Sequence, residues 1–385
     1  MTKILEKISL FGLSLLLISA FSISTALPPM LDYYSPTYTA SQVELLVSVP
    51  SFSVVAMLLL NPLVDKWLND RQLIMTGLIL LSSAGIFPFF VQLYTLVLLS
   101  RLIFGMGIGL INAKAISIIS QRYQGKERVQ MLGIRGSVEL IGGASCSLLV
   151  GQLLKIHWTL AFFIYGFGFI ILAMYLLFVP PMEQTEKKEA QKSKQGLDKK
   201  DLAMILGMAL LAGFVICVNS SISLRVPLFQ VDGKTIASGQ SALVLSLEQG
   251  IGIVAGLSFA SLIGHIKHRL LPMALFCLST CLLGISLANN LLILILSSVG
   301  VGFFYNIVLT IIFNRLSERV TRNLLNKATA YVLLGCNLGS AVSPYVLKLL
   351  ALVSPSFSWI FLAYAVVSFL LFLGFLLNSK MVKKA

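Results

Sequence analysis

The chain has 385 residues, 57% hydrophobic and only 11% charged, with a formal net charge of +14. A soluble domain carries about 25% charged residues, so this composition excludes an ordinary water-soluble fold and points to lipid as the solvent. The surplus of cations would suit a nucleic acid, but its placement along the chain argues against that partner.

A bilayer crossing takes ~20 mostly apolar residues per helix. The weaker ten-residue alternation of a membrane barrel is absent, so helices are expected. The first apolar stretch, 8–28, closes on SISTALP (22–28). STALPP loosely suggests a signal-peptide cleavage site. However, SISLRVP at 221–227 nearly repeats the heptapeptide 199 residues later, and a removed segment has no reason to recur. Stretches 43–64, 72–92 and 95–118 follow, with LVDKWLNDR (63–71) between the first two and SRLIFGMGIG (100–109) inside the last. The fifth, 131–153, holds Arg135 and Glu139 one turn apart, and the sixth, 158–180, opens at Trp158. PPMEQTEKKEAQKSKQGLDKK (180–200) is Lys-rich and nearly free of large apolar residues. It reads as a linker that cannot pack a core. Six more apolar stretches complete the chain: 202–226, 240–263, 270–288, 291–313, 328–350 and 357–378.

The repeat extends beyond the heptapeptide. LVDKWLNDR and LIGHIKHR (262–269) begin at the same offset of 199. GIGLINAKAISIISQR (107–122) aligns with GVGFFYNIVLTIIFNR (300–315), and Trp158 and Trp359 each open the last stretch of a half. The expected architecture is an all-α membrane protein of twelve transmembrane helices in two six-helix pseudo-repeats. Residues 1–180 form one bundle, 181–200 the linker and 201–385 the other. Parallel repeats of this kind are a transporter design, with the site between the halves near mid-membrane.

Counting from a cytoplasmic N-terminus, the tails and even-numbered connections hold 22 Lys and Arg, and the opposite side holds four. This positive-inside bias sets both termini in the cytoplasm and makes the basic charge a topology device. The five cysteines all fall inside apolar stretches as packing residues. His265 and His268 share a loop with Lys267 and Arg269, so no metal and no cofactor is expected. The sequence has no Walker A pattern, no HExxH and no nucleophile–base constellation in a loop. An enzyme is not expected, and transport energy would come from an ion gradient.

Charges inside the apolar stretches are few. An intramembrane arginine costs ~2.5–3.5 kcal/mol on insertion scales, so Arg101 is expected inside the bundle. Lys114 and Glu139 come out at similar depth on consecutive antiparallel helices by ~1.5 Å rise per residue. An ion pair between them, shared with Arg135, is expected. Glu248 stands alone in its helix, a position suited to reversible protonation. Asp32 and Glu44 flank the first outer loop and are expected to be solvated.

LVDKWLNDR, SRLIFGMGIG and RGSVELIGGASCSLLVGQLL (135–154) together resemble signatures of the major facilitator superfamily, and most closely those of its twelve-helix drug:proton antiporter branch. Asp65 and Lys66 match the acid–base pair of the first signature, Arg71 supplies its later cation, and Asn61 replaces its first glycine. Arg101, Gly105, Gly107 and Gly109 match the second. Gly136, Gly142, Gly143 and Gly151 match the glycines of the third, whose Gly-Pro is missing. The resemblance implies a cytoplasmic latch built on Asp65, Lys66 and Arg71. It also implies a substrate cavity with Ser22, Asn112, Asn219, Tyr305 and Asn306 as candidate lining. Proton coupling would then fall to Glu248, Glu139 and Arg101. The expected function is efflux of a small amphipathic compound, by a monomer in the plasma membrane of a bacterium, with protons as coupling ion. A uniporter, importer or lipid translocase on the same fold is the alternative.

Overall fold

Proline marks where the first helix of each half is rebuilt. In the computed structural model, which describes residues 2–382 apart from 16, 18, 66, 124, 181–198, 232 and 321, α1 (Thr2–Leu15) gives way to a 3-10 segment, Ser19–Ala26, and then to α2 (Leu27–Tyr34). Pro28 stands in the first turn of α2, where its missing N–H leaves no hydrogen bond unmade. After the linker, α8 (Lys199–Arg225) passes into a 3-10 turn, Val226–Leu228, with Pro227 in the corresponding place. The repeated heptapeptide thus encodes a repeated change of helix type.

The other N-terminal helices are α3 (Ala40–Val64), α4 (Asp70–Phe90), α5 (Tyr94–Arg122), α6 (Gly125–Leu153) and α7 (Phe167–Phe178), the last preceded by a 3-10 segment, Trp158–Gly166. Beyond α8 a small antiparallel hairpin, β1 (Gln230–Val231) with β2 (Lys234–Thr235), turns at Gly233 with φ +75°. Then come α9 (Ser238–Ile266), α10 (Leu270–Ser286), α11 (Leu291–Arg319), α12 (Arg322–Ala351) and α13 (Phe357–Val382).

Nine of the described helices are long and apolar enough to cross a membrane, against the twelve stretches expected. The difference has physical causes. The stretch 8–28 is divided among α1, a 3-10 segment and α2. That of 131–153 lies in α6, which carries Arg135 and Glu139. That of 270–288 lies in α10, which has only 17 residues. The linker and Lys66 lie outside the described residues.

Helices approach one another most closely over glycine, as bilayer packing favours. A Cβ at Gly105 would stand 2.3 Å from the Pro50 carbonyl oxygen of α3, and one at Gly107 would stand 2.6 Å from that of Gly77 in α4. The arginine-plus-glycines signature is therefore the seam where α5 meets both neighbours. In α12, a Cβ at Gly339 would stand 2.0 Å from the Gly213 carbonyl oxygen of α8. Contacts between the N-terminal set α1–α7 and the C-terminal set α8–α13 are most extensive between α6 and α9 and between α3 and α12. The C-terminal ends of α3, α5, α9 and α11 share one end of the molecule, here called the Asp65 end. Glu44 and Arg225 lie at the other.

Candidate functional site

The polar groups along the α6–α9 and α9–α11 seams form an ordered ladder. Ser246 Oγ donates to the Ala144 carbonyl at 2.9 Å, and Gln249 Nε2 donates to Ser147 Oγ at 3.4 Å. A Cβ at Gly252 would stand 2.6 Å from Asn306 Nδ2 and 3.1 Å from Leu140 Cδ1. One at Gly302 would stand 2.2 Å from the Glu248 carbonyl oxygen. These contacts fix the register: α6 runs antiparallel to α9, and α11 runs parallel to it. Glu139 is therefore level with the turn after Gly252, and Tyr305 is level with Ile251. Along the seam Glu139 and Glu248 are separated by about 8 Å at 1.5 Å per residue. Tyr305 lies between those levels and is buried.

The two carboxyls differ in their surroundings. Glu248 is 1% exposed, and its Oε1 has no hydrogen-bond partner among the described residues. Glu139 is half-buried and pairs with Arg135 at 3.4 Å along its own helix. The expected Lys114–Glu139 pair is not formed. Lys114 Nζ lies 2.5 Å from Asp65 and 3.1 Å from Asp70, the two acids that flank the turn between α3 and α4. Equal depth on neighbouring helices does not set rotation about the helix axis. The ammonium of Lys114 faces α3 and α4, not α6. Asp65 caps the end of α3 and Asp70 opens α4, behind an Asn69–Gln72 capping box. A carboxylate in a first helical turn is well placed. Arg71 donates to the Leu176 carbonyl of α7 at 3.2 Å. Arg122 pairs with Glu6 and donates to the Pro180 carbonyl. The latch residues thus tie α1, α3, α4, α5 and α7 together at the Asp65 end.

Arg101 is 0% exposed. Its Nε donates to the Leu46 carbonyl of α3 at 3.1 Å, and its guanidinium sits 4.3 Å from the Phe104 ring centroid, 5.3 Å from that of Tyr165 and 5.9 Å from that of Phe162. Guanidinium stacks readily on aromatic faces. Arg101 joins α3, α5 and the 3-10 segment before α7, away from the α6–α9 seam.

The remaining polar candidates scatter. Ser22 donates to the Gly143 carbonyl of α6 at 3.3 Å and is buried. Asn112 is half-buried. Asn219 is half-buried in α8, with no partner for Oδ1 among the described residues. Asn306 donates to Gly302 of its own helix at 2.8 Å. Only Tyr305 and Asn306 share the seam with Glu248.

One pair was not anticipated. Glu44, expected to be solvated, is 1% exposed. Its carboxylate meets Arg225 of α8, Oε1 to Nη1 at 2.9 Å and Oε2 to Nη2 at 3.5 Å. Glu44 lies in the second turn of α3, where position alone suggested water. The end of α8 covers it. The signal available in the sequence was the arginine of SISLRVP, set where SISTALP has Ala26.

No curated protein matches the chain. The family model of the Major Facilitator Superfamily matches residues 9–323, most of the sequence. On this match, with its apolar helices, the chain belongs to the Major Facilitator Superfamily and is a multi-pass membrane transporter.

Proposed function

We propose that the protein is a proton-coupled secondary transporter that exports a small amphipathic compound by alternating access. It is of the drug:proton antiporter type, with twelve membrane passes in two repeats, 1–180 and 201–385, joined by 181–200. It works as a monomer in the cell membrane with both termini cytoplasmic, which makes the Asp65 end the inner one. The two repeats rock about the α6–α9 and α3–α12 seams. The Glu44–Arg225 pair closes the outer end, and the Asp65–Lys114–Asp70 cluster braces the inner end of the first repeat.

The observation that carries the proton coupling is the Glu248 carboxyl, buried at the α6–α9–α11 seam near Tyr305 and without an ion-pair or Oε1 hydrogen-bond partner among the described residues. Ionisable groups inside membrane segments belong to ion pathways more often than to packing. Glu248 takes the proton, and Glu139 releases or keeps Arg135 as the seam moves. The apolar bulk of the chain, 57% hydrophobic, suits an amphipathic substrate.

The test is transport by purified protein in proteoliposomes with an imposed pH gradient, assayed with cationic dyes, sugars and lipids. Dye flux that follows the gradient supports the proposal, and gradient-independent flux overturns the coupling. A carrier without proton coupling is the second reading. The missing Gly-Pro in α6, where the antiporter signature has one, favours it.

A further inference from the structure

The internal repeat brings equivalent helices to the Asp65 end of both halves, but their charges are handled differently. In the first half two cations at this end meet acids: Lys114 pairs with Asp65 and Asp70, and Arg122 with Glu6. In the repeat, Arg122 corresponds to Arg315, and Glu6, at the offset of 199, corresponds to Ile205. Asp65 corresponds to Gly264 and Lys114 to Ile307. At these equivalent positions the second half keeps the arginine but has Ile205 and Gly264 in place of the acids.

A cavity of about 950 Å3 lies there, among α8, α9, α10, α11 and α13. Lys267, Arg315 and Arg319 reach it, with Glu318 as the one acid. Glu318 accepts a hydrogen bond from Asn314 at 2.8 Å and forms no ion pair among the described residues. Arg319 makes a long contact, 3.8 Å, to Met204 Sδ. Arg315 is half-buried and forms no hydrogen bond or ion pair among the described residues. Its charged neighbours are Arg319 and Glu318. Lys267 holds a left-handed backbone, φ 53°, at the end of α9. Deeper in, the walls are apolar: Met204, Met208, Leu211, Ile312 and Phe375.

A cationic rim over an apolar floor fits an anionic amphiphile. Basic pockets between membrane helices hold acidic lipid headgroups, and each cation near the surface adds about 1 kcal/mol. Guanidinium groups match phosphate oxygens in geometry as well as charge. A soluble anion would use the rim but gain nothing from Met208 or Phe375. We propose that this cavity binds an anionic phospholipid of the adjacent leaflet, with the phosphodiester among Arg315, Arg319 and Lys267 and the acyl chain against the apolar wall.

The experiment uses the full chain, purified and delipidated in detergent. Thermal unfolding is followed during titration with short-chain phosphatidylglycerol, phosphatidylcholine or glycerol 3-phosphate, and retained lipid is counted by native mass spectrometry. Phosphatidylglycerol is expected to raise the unfolding temperature and stay bound, with the other two far weaker. The double variant Arg315→Gln/Arg319→Gln should weaken phosphatidylglycerol binding by about tenfold or more, while Lys234→Gln, in the hairpin at the opposite end, leaves it unchanged. Met208→Trp, which keeps every charge and fills the apolar wall, should also weaken it, and covers the case in which the arginine variant does not fold. Equal binding of phosphatidylglycerol and phosphatidylcholine overturns the proposal. So does equal binding of glycerol 3-phosphate, which makes the site one for a soluble anion.

Discussion

The Arg225 guanidinium grips the Glu44 carboxylate through two contacts, 2.9 and 3.5 Å, joining α8 to α3 across the boundary between the N-terminal and C-terminal helices. The pair is buried on the Glu44 side and makes the fork-to-fork arrangement that arginine favours. With Ser51 and Ser220 both donating to Ser340 Oγ at 3.1 Å, it makes this end a closed contact between the two sets of helices.

Glu44→Gln should therefore loosen that end. A stranded buried charge costs about 3–5 kcal/mol, and a moving carrier relieves the cost by parting α3 from α8. A cysteine placed at Ser48, buried in the next turn of α3, should react with a membrane-impermeant maleimide several-fold faster in the Glu44→Gln background. The exchange Glu44→Arg/Arg225→Glu should restore slow labelling. Unchanged labelling in the single variant means the pair is not a gate.

At the opposite end, Lys114 has two acids within reach, so the acids are partly redundant. Asp65→Asn leaves Asp70 at 3.1 Å and should cost the fold about 1 kcal/mol or less. It should slow transport while substrate affinity stays within a few-fold, because the cluster is remote from the α6–α9 seam. Asp65→Asn/Asp70→Asn removes both partners from a buried ammonium and should lower the unfolding temperature far more than the single changes combined. Additive single effects would show that Lys114 does not bridge the two acids.

Arg101 tests a different kind of burial. Its Leu46 hydrogen bond and three aromatic neighbours use the planar guanidinium. Arg101→Lys keeps the charge and loses the fork and the stacking, a loss of about 2 kcal/mol or more at a desolvated site. The unfolding temperature in detergent should fall accordingly. A lysine variant as stable as the parent would mean that charge alone matters there.

Helix content was legible in the sequence because apolar length and proline act locally. The heptapeptide recurs where the helix type changes at Pro28 and Pro227. The glycines of SRLIFGMGIG lie where α5 packs closely on α3 and α4. Pairing was less legible. Lys114 met Asp65 and Asp70 instead of Glu139 because depth along a helix says nothing of its rotation. The burial of Glu44 depends on α8, through Arg225, which lies 181 residues away. Interactions between repeats are set by tertiary packing, which no local pattern encodes.

The two seam carboxyls make the last test. Glu248 is buried with an oxygen unpartnered among the described residues, so Glu248→Gln replaces it with a group of the same shape and strands no cation. The protein should fold normally. If Glu248 carries the coupled proton, flux driven by an imposed pH gradient should fall about tenfold or more, and its dependence on pH should flatten. Glu139 is tied to Arg135 at 3.4 Å, so Glu139→Gln leaves a guanidinium without its acid beside the α6–α9 seam. Its first effect should be a lower unfolding temperature, with the pH dependence of residual flux retained. Tyr305→Phe, which removes the hydroxyl between them, should reduce coupling without the stability loss of Glu139→Gln. The measurement is gradient-driven flux across a pH series, beside thermal unfolding of each variant. If Glu248→Gln and Glu139→Gln both keep the parent's pH dependence, neither carboxyl couples to protons, and the carrier is a uniporter.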